Sequence, residues 1–227
     1  MSKNTGVSVI VCTNKPHMMH NIFNNYQRQD YWNKEMIIIL NHNRINKRKW
    51  RKFAHQSNSH NVTVYQLPEE LSLGKCLNFA IRKSRFNYLA KFDDDDYYAS
   101  TYLQNSMHTL LNENAGVVGR QDFYMYIQDK QELLIRHTDN HLIGGSLLFH
   151  KKIWKKIPFE DRSTGEDDAF YSGCVANKIP MAQPTFKDFV YIRQSNNKHH
   201  TWQPDEHTLY YNTTFVTHTD SFHPYIS

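Results

Sequence analysis

The sequence predicts an α/β protein, a mostly parallel central sheet flanked by helices with a mixed second half. Three observations carry this prediction. Short β-branched, apolar runs alternate with segments of helical apolar spacing through the first half of the chain. The connections between them are short, which implies βαβ units. An acidic run then follows the fourth strand-like segment, at the strand end beyond which such sheets bind their ligands.

Taken in order, residues 7–13 are β-branched and apolar, and Pro16 stands where a helix can begin, continuing over 17–29. Residues 36–40 read as a buried strand, followed by a basic helix over 44–57. A third strand, 62–67, is ended by Pro68. Leu73, Leu77, Ala80 and Ile81 give 73–85 a helical apolar pattern, and 88–92 is the fourth strand. A helix over 101–112 precedes strand-like stretches at 116–127 and 144–150, without the regular alternation of the first half. This order places Thr13, Asn41 and the acids after Phe92 on one rim of the sheet.

At 227 residues the chain suits one domain, expected over 1–202, with 203–227 as a tail packed on it or in an oligomer contact. The mean hydropathy of −0.72 would suit partial disorder, but an aromatic share of 14% argues for a packed core. No stretch approaches the roughly 20 apolar residues of a membrane span. The apolar run near the start leads into Thr13-Asn14-Lys15 and not into a cleavage site, so a cytoplasmic protein is expected, with peripheral membrane contact left open. Three cysteines without CxxC spacing exclude a disulfide framework and a cysteine zinc site. The net charge of +5 is uneven: Arg44, Lys47, Arg48, Arg51 and Lys52 fall on one helical face, thickened by Lys49. The first reading of that face is plain solvation; the sharper alternative is a docking surface for an anionic acceptor, polymer or membrane. No nucleic-acid recognition motif accompanies the charge, so no nucleic-acid partner is expected.

Asp93-Asp94-Asp95-Asp96 is the most informative local feature. Four adjacent carboxylates repel one another, so something must compensate them. In an extended chain Asp93 and Asp95 would share one side, a donor set for a hard divalent cation. The competing reading is a solvated turn in which Asp96 or Ser100 caps the next helix. Its position after an apolar strand at the ligand-binding rim favours the metal. Glu166-Asp167-Asp168 form a second cluster, following Gly165 and resembling a first helical turn. They serve equally as helix-dipole partners or as the source of a general base. His199-His200 beside Trp202 are a third candidate cluster, as metal ligands or as exposed residues.

Four stretches together resemble glycosyltransferase family 2, inverting enzymes of bacterial type with the GT-A fold, a Rossmann-like sheet. They are VSVIVCTNKP, LSLGKCLNFAIRKSRFNYLAKFDDDDYY, PFEDRSTGEDDAFYSGC and YIRQSNNKHHTW, spanning most of residues 7–202. Each is weak alone; their order and spacing are specific. The resemblance implies a nucleotide-diphosphate sugar donor, a carbohydrate or glycoconjugate acceptor, and a divalent cation, Mn2+ or Mg2+. It places Thr13 at the nucleotide base, Asp93 and Asp95 in the DxD element, with Asp95 the metal ligand and Asp93 nearer the ribose, and Asp94 beside the nucleotide. Lys75 and Asn78 would line the nucleotide pocket, and Asp167 would be the catalytic base, with Glu166 beside it. His199 or His200 would contact metal or diphosphate from a closing loop that includes Trp202, and Arg193 or Lys75 would add charge at the diphosphate. Gly144-Gly145-Ser146 would lie near the donor sugar on the acceptor side. One departure stands out: where the family commonly carries an Asp-Asp-Gly-Ser turn, this chain has Leu40-Asn41-His42-Asn43, leaving Asn41 to read the base. A sugar nucleotidyltransferase is the enzymatic rival, but 9–18 lack the glycine-rich phosphate loop such enzymes carry. A non-catalytic nucleotide or carbohydrate binder is the other.

Overall fold

A computed structural model describes residues 5–57, 61–193 and 205–226. The first half follows the predicted alternation. Strands β1 (Val7–Thr13), β2 (Lys34–Leu40), β3 (Val62–Gln66) and β4 (Tyr88–Phe92) are separated by helices α1 (Met19–Gln27), α2 (Lys47–Gln56) and α3 (Leu73–Lys83). Pro16 opens a short 3-10 turn that leads into α1. Asn46 and Ser72 cap α2 and α3 by accepting the N–H groups of Lys49 and Lys75. β1 pairs in parallel with β2 and β4, and β2 with β3.

Why these strands are central follows from their alternation. Val7, Val9 and Val11 of β1 join Met36, Ile38 and Leu40 of β2 in one core, while Ile10, Ile37 and Ile39 enter a second core on the opposite face. The first core is covered by α1, α2 and α4 (Tyr102–Asn112). The second is covered by α3, α5 (Lys151–Lys156) and α6 (Glu166–Ala176).

Beyond β4 the chain forms β5 (Tyr97–Tyr98), β6 (Val117–Val118), β7 (Asp122–Ile127), β8 (Glu132–His137), β9 (Leu148–His150), β10 (Met181–Ala182), β11 (Phe189–Arg193) and β12 (Thr213–His218), with α7 (Glu206–Tyr210) before the last. Among the described residues the main sheet has the order β10-β6-β9-β4-β1-β2-β3. β9 runs antiparallel between β4 and β6. The second sheet, β12-β8-β7-β11-β5, packs its Phe123, Met125, Leu134 and Phe189 into the first core. The predicted strand over 116–127 is therefore two strands in two sheets, parted at Gly119 and Arg120. Arg120 is fully buried, held by Asp188 at 2.6 Å and by the Ser106 hydroxyl at 2.8 Å. The tail after 205 adds β12 to this sheet as an edge strand paired with β8.

Candidate active site

The carboxyl ends of β1, β2 and β4 open into a cavity of about 720 Å³, within the usual size for a small-molecule site. All four acids of the run line it, with Thr13, Lys15 and Asn41. The chain bends at 94–96 rather than staying extended, so the side-to-side alternation is lost. Lys15 consequently reaches both Asp94 (3.0 Å) and Asp95 (2.7 Å), and the Thr13 hydroxyl donates to Asp94. Burial, with the neighbouring Asp95 charge, still pushes the Asp94 carboxyl up to about 6. Asp96 is buried, accepts the Ile192 N–H at 3.1 Å, and is raised well above the carboxylate range by burial and by Asp95 and Asp93. It does not cap α4, which has no side-chain cap. The Asp96 backbone carbonyl is fixed by the amides of Asn21 and Asn25 on α1, at 3.0 and 2.8 Å.

The second acidic cluster is the first turn of α6, as its sequence suggests, and it lines the same cavity. Gly165, the residue before it, has φ +73°, a conformation suited to glycine. Glu166 is buried, and burial pushes its carboxyl up to about 7 against the opposing pull of Lys91. Asp167 is half-buried.

Two features join the clusters. Lys91, a cation inside the apolar strand β4, is 3% exposed and pairs with Asp93 at 2.5 Å. Burial alone would lower its pKa, but Asp93, Asp167 and Glu166 together raise it, so the ammonium stays charged. The second feature is the Gly144-Gly145 turn. A Cβ on Gly144 would lie 1.8 Å from Asp167 Oδ2, and one on Gly145 would lie 2.8 Å from Asp93 Oδ2 and 3.0 Å from Asp96 Oδ2. Only glycines let both clusters approach here. Tyr98 locks the turn in place: its hydroxyl accepts the Asp93 N–H (2.7 Å) and donates to the Gly145 carbonyl (2.6 Å). Tyr102 does the same for the Ser146 carbonyl at 2.8 Å.

The structure thus brings Thr13, Asn41, Asp93, Asp94, Asp95, Gly145, Glu166 and Asp167 to one cavity. It does not bring Lys75 or Asn78 there. The start of α3 instead anchors the 159–163 loop that precedes α6. Lys75 pairs with Asp161 at 2.7 Å, and Asn78 is occupied by Trp154 Nε1 and by the backbone of Phe159. Leu73 and Leu77 are the α3 residues on the cavity wall. Arg193 is buried beside Tyr191, behind the lining rather than in it. His199, His200 and Trp202 lie outside the described residues. Lys15, Lys91 and Tyr98 escaped the sequence reading, although a lysine inside YLAKF just before four acids was a legible signal.

Among the described residues no three His, Cys, Asp or Glu side chains form a ligand group for a metal. The donor chemistry nonetheless fits a hard divalent ion. Among the described residues the candidate ligands, Asp93 and Asp95, offer carboxylate oxygens, and a lysine ammonium already bridges Asp94 and Asp95, marking a place that calls for positive charge.

A mostly parallel sheet with this carboxylate-lined rim is the GT-A fold of glycosyltransferases. The chain belongs to glycosyl transferase family 2, whose model matches residues 8–176. Among solved structures it is similar to a mannosyltransferase, PcManGT from Pyrobaculum calidifontis, in complex with GDP-Man and Mn2+. The TM-score is 0.69 at 16% identity, covering 87% of this chain and 59% of that one. It is also similar to S. aureus TarS 1-349, with TM-score 0.64 at 16% identity and 83% and 60% coverage. The complex of TarS 1-349 with UDP-GlcNAc gives 0.61 at 13% identity, with 85% and 60% coverage. At these identities the likeness is one of fold, and the chain spans about 60% of the length of those structures. No curated protein matches the sequence.

Proposed function

We propose that the chain is a metal-dependent, inverting glycosyltransferase. It would move a hexosyl group from a UDP- or dTDP-sugar to a hydroxyl of a carbohydrate or glycoconjugate, in the making of cell-surface or spore-type polysaccharide. One observation carries this reading: Asp93 and Asp167, from opposite walls, converge on adjacent glycines of a single turn. That convergence supports a donor sugar lying between a diphosphate site and a base.

In this reading Thr13 and Asn41 meet the nucleotide base. Asn41 Nδ2 donates to the Pro68 carbonyl at 2.7 Å, which leaves its carbonyl oxygen to accept the imide N–H of uracil or thymine. Ligand-bound neighbours differ in nucleotide, UDP-GlcNAc in one and GDP-Man in another, so the base assignment rests on this chain's own residues, Asn41 first. Asp93 and Asp95 would hold the divalent cation, which supplies Lewis-acid neutralisation of the leaving diphosphate. Asp167 takes the proton of the acceptor hydroxyl as that oxygen bonds to the anomeric carbon, opposite the bond to diphosphate that breaks. Of the three α6 acids Asp167 is the better base: Glu166 is buried and its carboxyl holds a proton up to about pH 7, and Asp168 is paired with His141 at 3.1 Å, whereas Asp167 is half-buried against the Gly144 turn. Lys91 keeps Asp93, Glu166 and Asp167 compatible in one place.

The test is turnover with manganese across a panel of nucleotide sugars, scoring hydrolysis or transfer. Release of free nucleoside diphosphate from a UDP- or dTDP-sugar is expected. Pyrophosphate exchange instead would mean a nucleotidyltransferase, and binding of metal and nucleotide with no turnover on any donor would mean a binding module.

A further inference from the structure

The site uses the acids of the chain and leaves its basic excess unexplained. That excess is strongly segregated. The first 68 residues carry ten Lys and Arg against two acids, Asp30 and Glu35, while the remaining 159 carry 17 against 20. Six of those ten cations, Arg44, Lys47, Arg48, Lys49, Arg51 and Lys52, lie on α2 and the loop that leads into it. All but the half-buried Lys47 are exposed, and no acid occurs anywhere in residues 36–68. None of the six makes an ion pair with a described residue.

The apolar side of α2 is fully used. Trp50 and Ala54 are buried in the first core, and Phe53 stacks edge-on against Phe23 and His20. What faces outward is therefore dominated by cations, and Glu69, which pairs with His42 at 3.3 Å, is an acid that touches the loop leading into it. About six anionic groups spread over two dimensions would match these six cations, as the headgroups of a bilayer do. α1, which packs beside α2, adds no acid of its own. The loop entering α2 begins at Asn41 on the cavity wall, so the patch and the mouth of the site share one end of the sheet.

We infer that the α2 face, Arg44 to Lys52, docks the protein on an anionic lipid bilayer, with the cavity rim held beside that surface. Clusters of four to eight Lys and Arg on a helix are of the size that binds anionic headgroups, each adding a modest increment that salt removes. The inference does not depend on the proposed reaction, because it concerns a face that makes no contact with the acids of the site.

The experiment is cosedimentation of the protein with vesicles of phosphatidylcholine alone or with phosphatidylglycerol, at low and high salt. Wild-type protein is expected on the phosphatidylglycerol vesicles only, and to leave them as salt rises. The triple variant R48E/K49E/K52E is expected to lose about 100-fold or more in partitioning. A variant with the same change in net charge on α5, K152E/K155E/K156E, is expected to stay bound. Lys152, Lys155 and Lys156 are exposed, as are the α2 residues, so an unchanged melting transition in both variants checks the fold. Equal loss in both variants would reduce the effect to net charge and overturn the assignment. So would equal binding to neutral vesicles, no binding at all, or tighter binding to soluble polyphosphate than to phosphatidylglycerol vesicles.

Discussion

The two acidic clusters of the cavity are built in opposite ways. The run after β4 is heavily compensated: Lys15 bridges two of its carboxylates, Lys91 holds a third, and a backbone N–H serves the fourth. The first turn of α6 has the helix N-terminus, a share of Lys91 for Glu166 and Asp167, and the His141 imidazole at 3.1 Å from Asp168. A surplus of cations beside carboxylates suits a place built to exchange positive charge with a ligand. Sparse compensation suits a carboxylate that must accept a proton. Under the proposed function, the difference between the clusters would be a division between holding a diphosphate and doing acid–base chemistry.

Lys91 is the group that couples them, and removing it gives the largest expected effect on stability. In Lys91→Met, three acids lose their shared cation. The cost is about 3 kcal/mol, at the low end for a broken buried pair because Asp93 is partly exposed. For a chain of this size that lowers the melting temperature by about 9 °C, and calorimetry would read it. A variant that melts like the wild type would mean the clusters are electrostatically independent.

The pH dependence of stability is the smaller test. Asp94 is raised from 3.8 to about 6 and Glu166 from 4.5 to about 7. The folded protein therefore binds these protons more tightly than the unfolded chain, and the stabilisation is fully present below about pH 4. Stability should fall as pH rises from there to about 7, by on the order of 6 kcal/mol in all, about half from each acid. Denaturant midpoints across that range would show it. A rise instead would mean that the lysines dominate both acids.

Much of this was legible in the sequence, for reasons that differ by element. β1 and β2 are buried on both faces, so their apolar runs identify them without tertiary knowledge. The acidic run and Gly165-Glu166-Asp167 were legible because charges after an apolar strand mark a rim, and acids after a glycine and before an apolar pattern mark a first helical turn. What was hidden depended on contacts distant in sequence. Asn78 looks like a pocket residue by its place in the motif, yet the approach of the 154–159 segment, about 80 positions away, consumes its amide. The antiparallel insertion of β9 beside β4 is likewise set by pairing, which no local pattern encodes. Tyr98 is aromatic core by any sequence criterion; only its hydrogen bonds to Asp93 and Gly145 show that it aligns the two clusters.

The division of labour is tested most directly by calorimetric titration of UDP with Mn2+ into Asp95→Asn and Asp167→Asn, beside donor turnover for each. Asp95→Asn should lose most UDP affinity. Asp167→Asn should bind UDP within about twofold of wild type while losing on the order of 10²–10⁴ in turnover, the usual worth of a general base. Normal turnover in Asp167→Asn, or a loss of UDP binding equal to that of Asp95→Asn, would contradict it.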